Sequence, residues 1–301
     1  MNKLLVSVCI ITYNHEHFIR QCLESVINQN INFDYEIVIG EDKSKDNTLS
    51  ICEEYSQRYP ELIKIIKRDK NLGITGNWID TFKNSSGKYV AICEGDDYWI
   101  DPLKLQKQVD FLESNSEYSM SCHNAEIIYE NSDKKPIIFS KKSFSCDISM
   151  QTIVEKWVIP TASMVFRREH VVNLPEWFNE IYSGDFSLAL LLRHSGKIWF
   201  FHDLMSVYRV DYTGSSATAT YGKRGIFVFN QHISLLKYFN TYTTFKYAII
   251  IEKRISHIKE ELRFLELKEK GFLNAFFGMP IVFFQKGLSK IYYFINVQIK
   301  K

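Results

Sequence analysis

Apolar runs and helix-spaced apolar residues alternate along the first third of the chain. The continuous apolar and β-branched runs predict four buried strands, at residues 4–14, 35–40, 62–66 and 88–93. Apolar residues at helical spacing predict the intervening helices: one capped by Asn14, one over 46–58, one over 75–84 and one that begins at Asp101-Pro102. This alternation is typical of an α/β fold, with a mostly parallel sheet and helices on both of its faces.

The middle of the chain has a different pattern, in which strand-like runs dominate. These runs lie at residues 117–122, 125–130, 162–167, 197–201 and 204–210. One helix is predicted from near Asp185 to Gly196. From about residue 225 onward the pattern is helical, with an apolar stripe formed by Ile251, Ile255, Ile258, Leu262 and Leu265. We therefore expect a helical C-terminal extension after the α/β part.

Polar residues follow the predicted strands at the points where each strand ends. They are Asn14, the 41–46 loop, the 71–77 turn and the segment Glu94–Asp97. Because ligands bind beyond the carboxyl ends of the strands in such sheets, we expect these segments to converge on one crevice. The carboxylates of Glu94, Asp96 and Asp97 raise one another's pKa when they lie together, so a cation is expected among them. Mg²⁺ or Mn²⁺ suits such oxygen ligands.

Length and cysteine usage narrow the class of protein. The chain of 301 residues is long enough for one large domain, or for one domain with an appended segment. Its six cysteines show no C-x-x-C spacing, which argues against a zinc ribbon or a thioredoxin-like site and favours a reducing compartment such as the cytoplasm. The N-terminal apolar run is too short for a signal peptide, and no stretch reaches the roughly 20 apolar residues of a membrane-spanning helix.

Charge is distributed unevenly, although the net charge is only +2. Residues 246–301 carry 11 Lys and Arg against 5 Asp and Glu, and the segment 272–301 has 4 Lys, no acid and many Phe, Tyr and Ile. Such a segment suits the surface of an anionic membrane, and it also suits a helix packed onto the rest of the chain or onto a second subunit. We expect a cytoplasmic protein, peripheral on the inner face of the plasma membrane, with no nucleic-acid partner.

Two common phosphate-binding loops are missing from the sequence. It contains neither G-x-x-x-x-G-K-[S/T], the signature of a P-loop, nor G-x-G-x-x-G after a strand, the signature of a dinucleotide-binding fold. The first strand leads into "TYNHEHF" rather than the Gly-rich basic loop of a sugar nucleotidyltransferase. Any phosphate handling is therefore expected to depend on a cation held by the acidic cluster.

Five segments together resemble one known family. In chain order they are "SVCIITYNHEHFIRQCLESV", "YEIVIGEDKSKDNT", "NLGITGNW", "GKYVAICEGDDYW" and "SGDFSLALLLRHSGKIWFFHDLMSVYR". In this order they resemble the family-2 glycosyltransferases of the GT-A fold, over roughly residues 5–212. The resemblance implies a GT-A catalytic domain over 1–220, with a nucleotide-binding half at 1–114 and an acceptor-binding half at 115–220, followed by the extension at 221–301.

The resemblance assigns donor-binding roles to five residues of the nucleotide-binding half. Thr12, Tyr13 and Asn14 match the turn that contacts the uridine, and Asp42 matches the residue that hydrogen-bonds the uracil ring. Asn77, in the third segment, is expected to bind the nucleotide-sugar with them. Asp42 has an alternative interpretation as a turn or helix-capping residue, which is a common role of an acid in a loop.

The same resemblance assigns the metal ligands and the catalytic base. Glu94-Gly95-Asp96 matches the Asp-x-Asp motif of the family. Asp96 is the expected main metal ligand. Glu94 is a second candidate ligand and is expected to orient the ribose or a water molecule. All three residues are expected to contact the nucleotide-sugar. Asp185 matches the catalytic base, although an Asp at that place is also a natural helix cap.

Two residues near the end of the resemblance complete the predicted site. Arg209 is expected to bind the nucleotide-sugar. Asp211 occupies the place where relatives often carry a His near the metal or the diphosphate. It is either a further metal ligand or an ordinary surface residue.

The implied activity is an inverting, metal-dependent transfer of a sugar from a nucleotide-sugar, in the first place a UDP-sugar. With Mn²⁺ or Mg²⁺ as cofactor, a hexosyl or N-acetylhexosaminyl group passes to a hydroxyl of a glycan or glycolipid in cell-surface polysaccharide biosynthesis. An alternative hypothesis is a catalytically silent nucleotide-sugar-binding or scaffold subunit, because Glu94 and Asp211 depart from the family pattern. A third hypothesis is a sugar nucleotidyltransferase, but this chain lacks the phosphate-binding loop of that class.

Overall fold

The structure, a computed structural model, describes residues 4–211 and 225–269 of the chain. These residues form two compact units, with 4–211 in the first and 225–269 in the second. The first unit is a sheet with flanking helices, and the described part of the second consists of two helices and their connection. The predicted division of residues 1–220 into two halves stays a prediction.

The strands and helices have the following bounds in the described residues. The strands are β1 Val6–Thr12, β2 Tyr35–Glu41, β3 Ile63–Lys67, β4 Tyr89–Glu94, β5 Tyr98–Trp99, β6 Tyr118–Tyr129, β7 Ile137–Ile138, β8 Cys146–Asp147, β9 Val165–Arg167 and β10 Lys197–Val210. The α-helices of the first unit are α1 Ile19–Ile27, α2 Thr48–Arg58, α3 Gly73–Lys83, α4 Lys104–Ser114, α5 Met150–Glu155 and α6 Gly184–Ser195. Those of the second unit are α7 Gly225–Tyr242 and α8 Ala248–Glu269.

One mixed sheet contains all ten of these strands. Its main order is β3-β2-β1-β4-β9-β6-β10-β5, with β7 paired to β6 and β8 paired to β10. The four strands from β3 to β4 are parallel, as the strand–helix alternation predicts, and β6 and β10 are also parallel to each other. Strand β9 runs antiparallel between β4 and β6. The predicted α/β fold with a mostly parallel sheet is confirmed.

Strand β1 lies between β2 and β4, and its apolar side chains belong to the buried core. Val6, Val8 and Ile10 are fully buried, as the continuous apolar run predicts. The register pairs Thr12 with Glu41 of β2, and Ile11 with Glu94 of β4. The loops that follow these three strands therefore begin at one edge of the sheet, where the candidate site residues were expected.

Two pairs of predicted strands are each one continuous strand in the structure. Residues 117–122 and 125–130 fall within β6, which runs through His123 and Asn124. Both residues of this polar pair are buried, and Asn124 exchanges hydrogen bonds with the backbone of Ser140, at 2.8 and 2.9 Å. The runs 197–201 and 204–210 likewise join in β10, with an irregular register between Phe201 and Leu204.

Two predicted helix starts were wrong. Asn14 does not cap α1, which begins at Ile19; Asn14 has a φ of 55°, and its Oδ1 accepts a hydrogen bond from the backbone N–H of Lys45 at 2.8 Å. Helix α4 begins at Lys104 rather than at Pro102. The Asp101 carboxylate accepts a hydrogen bond from the Leu103 N–H at 2.8 Å, so it stabilises the turn before the helix.

The second unit confirms a helical pair after the sheet. Of the predicted apolar stripe, Ile251, Ile255 and Ile258 are buried, while Leu262 and Leu265 are partly buried. Across the described residues, none of the helices combines the length and apolar character needed to cross a membrane. The basic, aromatic segment 272–301 lies outside the described residues, so its predicted membrane contact stays a prediction.

Candidate active site

The turn after β1 is joined to the loop after β2 by hydrogen bonds from backbone N–H groups to side-chain hydroxyls. The Asn14 N–H donates to the Ser44 hydroxyl at 3.0 Å, and the His15 N–H donates to the Thr48 hydroxyl at 2.8 Å. Thr12 is 2% exposed, whereas Tyr13 and Asn14 are partly exposed at the edge of the sheet. The structure thus brings the three predicted uridine-contacting residues to the expected edge.

Asp42 fixes the start of α3. Its two carboxylate oxygens accept hydrogen bonds from the N–H groups of Leu72 and Gly73, at 2.8 and 3.0 Å, and Gly73 has a φ of 73°. Burial raises the pKa of Asp42, and the two N–H donors oppose that rise. Asp42 thus holds the backbone at the start of a helix about 30 positions away, and both its contact with a nucleobase and its role as a cap of its own loop stay predictions.

Asn77 is buried behind this loop rather than exposed at the crevice. Its amide nitrogen donates to the carbonyl of Gly40 at 2.8 Å, and its amide oxygen accepts from the Arg68 guanidinium at 2.9 Å. A Cβ on Gly40 would lie 2.3 Å from that oxygen, so this packing requires glycine. In this structure Asn77 therefore supports the sheet, and its expected role in binding the nucleotide-sugar stays a prediction.

The acidic segment after β4 forms a tight turn against the turn after β1. The Gly95 N–H donates to the carbonyl of Ile11 at 3.0 Å, and the Asp97 N–H donates to the carbonyl of Glu94 at 2.9 Å. A Cβ on Gly95 would lie 2.6 Å from the hydroxyl oxygen of Thr12. Glycine at this position therefore lets the acidic turn approach the residues that follow β1.

The carboxylates of this turn repel one another. Burial raises the pKa of Glu94 well above its usual value, and the charges of Asp96, Asp97 and Asp185 raise it further. Burial and the charge of Asp96 also raise the pKa of Asp97. Asp97 is 1% exposed; its Oδ1 accepts a hydrogen bond from the Arg209 N–H at 2.8 Å, while its Oδ2 is without a hydrogen-bond partner among the described residues.

Asp185 lies in the first turn of α6 and is held close to the acidic turn. Its Oδ1 accepts a hydrogen bond from the Phe186 N–H at 2.8 Å, and its Oδ2 accepts one from the Thr161 hydroxyl at 3.1 Å. Burial raises the pKa of Asp185, which makes its carboxylate a stronger base. Sequence reasoning missed Thr161, because only the fold brings it to a residue 24 positions away.

Arg209 supports the acidic turn from β10. Its guanidinium donates to the carbonyl of Asp96 at 2.6 Å, to Glu130 Oε1 at 2.7 Å and to Gln21 Oε1 at 2.5 Å. The same group lies between two rings, 4.7 Å from the Phe18 centroid and 4.8 Å from the Tyr98 centroid. With 7% exposure and these partners, Arg209 acts in this structure as a positioning residue, and direct contact with a nucleotide-sugar stays a prediction.

The negative side chains at the acidic turn suit a hard divalent cation, but they do not form a complete set of ligands for one. Asp96 is 22% exposed at its side chain, and its Oδ2 lies 3.8 Å from His15 Nε2, a possible ligand that sequence reasoning missed although it directly follows Asn14. Within residues 4–211 and 225–269, no three His, Cys, Asp or Glu side chains form a group that could hold a metal ion. Asp211 is partly buried, and its predicted metal contact stays a prediction.

The matched part of this chain spans about three fifths of the length of its curated relatives. An uncharacterized protein of Mycobacterium tuberculosis is 36% identical over 205 residues, which are 68% of this chain and 58% of that protein. The UDP-Glc:alpha-D-GlcNAc-diphosphoundecaprenol beta-1,3-glucosyltransferase WfgD of Escherichia coli is 31% identical over 51% of this chain and 61% of its own. The dTDP-rhamnosyl transferase RfbG of Shigella flexneri is 32% identical over 63% of this chain and 66% of its own.

Solved structures show the same fold at lower sequence identity. TarS 1–349 of Staphylococcus aureus in complex with UDP-GlcNAc has a TM-score of 0.59 at 18% identity, over 77% of this chain and 66% of its own. The mannosyltransferase PcManGT of Pyrobaculum calidifontis, in complex with GDP-Man and Mn²⁺, has a TM-score of 0.59 at 14% identity, over 100% of this chain and 89% of its own. The sequence profile of glycosyl transferase family 2 matches residues 7–173, more than half of the chain. With its GT-A fold, the chain belongs to glycosyl transferase family 2.

Proposed function

We propose that this chain is an inverting, metal-dependent glycosyltransferase that moves a sugar from a nucleotide-sugar to a hydroxyl group. One observation carries the proposal. Asp185 is fixed by hydrogen bonds from the Thr161 hydroxyl at 3.1 Å and the Phe186 N–H at 2.8 Å, at a place where its charge acts on Glu94 of the acidic turn, in a chain of glycosyl transferase family 2. A base and an acidic cation site at the same edge of the sheet are what such a transfer needs.

Asp185 is the proposed general base. The acceptor oxygen attacks the anomeric carbon, the bond from that carbon to the nucleoside diphosphate breaks, and the proton of the hydroxyl passes to Asp185. Attack from the face opposite the leaving group inverts the anomeric configuration. The Thr161 hydroxyl and the Phe186 N–H fix the carboxylate for this step, since they bond one oxygen each.

Asp96 and Glu94 are the proposed holders of Mn²⁺ or Mg²⁺, with Asp211 as a third candidate. Mg²⁺ is commonly bound by one or two carboxylates together with the phosphates of a substrate, so the small number of ligands near Asp96 is compatible with such a site. When bound, the cation supplies positive charge to the departing diphosphate. Arg209 and Gly95 hold the backbone of the turn in place for this binding.

We propose a UDP-sugar as donor and a glycan or glycolipid of cell-surface polysaccharide biosynthesis as acceptor, with transfer of a hexosyl or N-acetylhexosaminyl group. The name of WfgD states a UDP-Glc donor and an acceptor on diphosphoundecaprenol, and TarS is seen with UDP-GlcNAc. The names of RfbG and PcManGT state other nucleotides, so dTDP- and GDP-sugars belong in the test. A lipid-linked acceptor agrees with the expected place at the inner face of the plasma membrane.

The test follows release of the nucleoside diphosphate from a panel of UDP-, dTDP- and GDP-sugars in the presence of Mn²⁺, with water or a glycan as acceptor. We expect Asp185→Asn to slow release of the preferred donor by roughly 10²–10⁴-fold while donor affinity stays within about twofold. Asp110→Asn, at an exposed position of α4, is the matched control and should leave the rate unchanged. Full activity of Asp185→Asn would exclude Asp185 as the base, and donor binding without any release would favour the silent-subunit alternative.

A further inference from the structure

The connection between α7 and α8 exposes large apolar side chains. Ile249 is 86% exposed, Phe245 is 61% exposed and Tyr242 is 48% exposed. They fall within eight consecutive residues, at the end of α7, in the connection and in the first turn of α8. Large exposed apolar side chains this close in sequence favour a surface that contacts something other than water. We call residues 242–249 the helix-pair tip.

The backbone of the helix-pair tip is held in an unusual conformation. Thr244 and Phe245 have φ values of 49° and 62°, in the left-handed region that residues other than glycine rarely adopt. The Phe245 N–H donates to the carbonyl of Asn240 at 2.8 Å, and the Thr243 hydroxyl donates to the carbonyl of Phe239 at 2.9 Å. These bonds fix the turn, so the exposed Phe245 belongs to a defined surface.

Basic side chains outnumber acids around the tip. Residues 225–254 contain Lys237, Lys246, Lys253 and Arg254 but a single acid, Glu252, and both Lys237 and Lys246 are exposed. Exposed aromatic and aliphatic side chains beside lysines are the combination that favours the interface between water and an anionic bilayer. Each Lys near such a surface adds about 1 kcal/mol of attraction, and each apolar side chain adds its burial among the acyl chains.

We propose that the helix-pair tip docks on an anionic lipid surface, with Phe245 and Ile249 entering the headgroup region and Lys237 and Lys246 facing the lipid phosphates. A second protein is the competing occupant, but a stable protein interface buries roughly 1,200–2,000 Å², which is far more than a few side chains offer. This proposal rests on the proposed function in one respect: an enzyme that acts on a glycolipid acceptor needs a surface that docks on the membrane. It is tested without donor or acceptor, so its outcome does not depend on the proposed activity.

The test measures flotation of the full chain with vesicles of phosphatidylcholine alone and of phosphatidylcholine with phosphatidylglycerol. We expect binding only to the anionic vesicles, weakened by salt, and about tenfold lower partition for Phe245→Ser and for Ile249→Ser. Phe144→Ser is the matched control, because Phe144 is 66% exposed in the first unit, and it should bind as the parent does. Thermal unfolding of each variant checks that the fold is kept, which is expected since the replaced side chains are exposed.

Three results would overturn the proposal. Equal partition of the parent and of the Phe245→Ser, Ile249→Ser double variant would mean that other residues carry any lipid binding. Absence of parent binding to anionic vesicles would remove the lipid surface as a partner. A change from dimer to monomer in the double variant, seen by light scattering without a change in vesicle binding, would identify the tip as a contact between copies of the chain.

Discussion

At the scale of single residues, neighbouring acids of the turn after β4 have different surroundings. Asp97 is buried and its Oδ1 is bonded to the backbone of β10, whereas Asp96 reaches the surface beside His15. We therefore expect Asp96, rather than Asp97, to meet a bound cation, whereas Asp97 holds the turn against the sheet. The resemblance singled out Asp96 as the expected metal ligand, but the buried role of Asp97 could not be predicted, because it depends on the position of Arg209 in β10.

Lys104 is a second residue whose surroundings decide its chemistry. It is 0% exposed, its Nζ lies 3.6 Å from the centroid of the Trp99 ring, and within the described residues that Nζ has no hydrogen-bond partner. Burial lowers the pKa of Lys104 from 10.5 to about 7. The charge of Lys104 in turn helps to lower the pKa of His123, which is also buried and stays uncharged above neutral pH.

Lys104→Met is expected to change how stability depends on pH. Between pH 7 and 10.5 the unfolded chain keeps the Lys104 proton and the folded chain releases it, so this lysine makes the free energy of unfolding rise with pH. The stabilisation by Lys104→Met should thus be largest near pH 7, at a few kcal/mol, and should shrink towards pH 10.5. Urea unfolding at several pH values measures it. Lys107→Met, an exposed site on the same helix, is the control, and identical profiles for both variants would contradict the prediction.

At the scale of elements, the candidate site depends on contacts between segments that are far apart in sequence. The longer strands, the acidic turn and the first turn of α6 follow from local patterns, and they were predicted from the sequence, whereas the two-residue strands β5, β7 and β8 were not. The partners of Arg209 were not, because Gln21 is 188 positions away and Glu130 is 79 positions away. A local pattern shows which residue types follow a strand, but only the pairing of β10 with β5 and β6 shows what those residues touch.

Arg209→Lys tests whether β10 positions the acidic turn. Lysine cannot reproduce the three hydrogen bonds of the guanidinium or its place between the Phe18 and Tyr98 rings, so we expect a loss of about 2–4 kcal/mol in the free energy of unfolding. Calorimetry should also show weaker Mn²⁺ binding in the presence of nucleotide, because the Asp96 backbone is less fixed. Arg58→Lys is the control, since Arg58 is exposed and also lies over a ring, that of Tyr59 at 5.3 Å. Parent-like stability and Mn²⁺ affinity in Arg209→Lys would exclude a positioning role.

At the scale of the whole molecule, the two units divide the proposed roles between them. One cluster of the apolar core lies between Leu5 and Trp199, and all the candidate site residues lie at or before Asp211. The exposed helix-pair tip belongs to the second unit. We therefore expect nucleotide binding to depend on the first unit and lipid binding to depend on the second.

A chain that ends at Ser216, the limit of the first unit, tests this division. Since its apolar core is complete, it should unfold cooperatively and bind the preferred nucleotide with Mn²⁺ within about threefold of the full-chain affinity, a difference below 1 kcal/mol. The same chain should lose partition into anionic vesicles, because it lacks the helix-pair tip and also the basic, aromatic segment 272–301; the Phe245→Ser, Ile249→Ser double variant of the full chain separates these two contributions. Calorimetry and vesicle flotation on both chains measure the two effects side by side. If the shortened chain folds but binds nucleotide more than about tenfold more weakly, the second unit contributes to the donor site, and the division of roles is wrong.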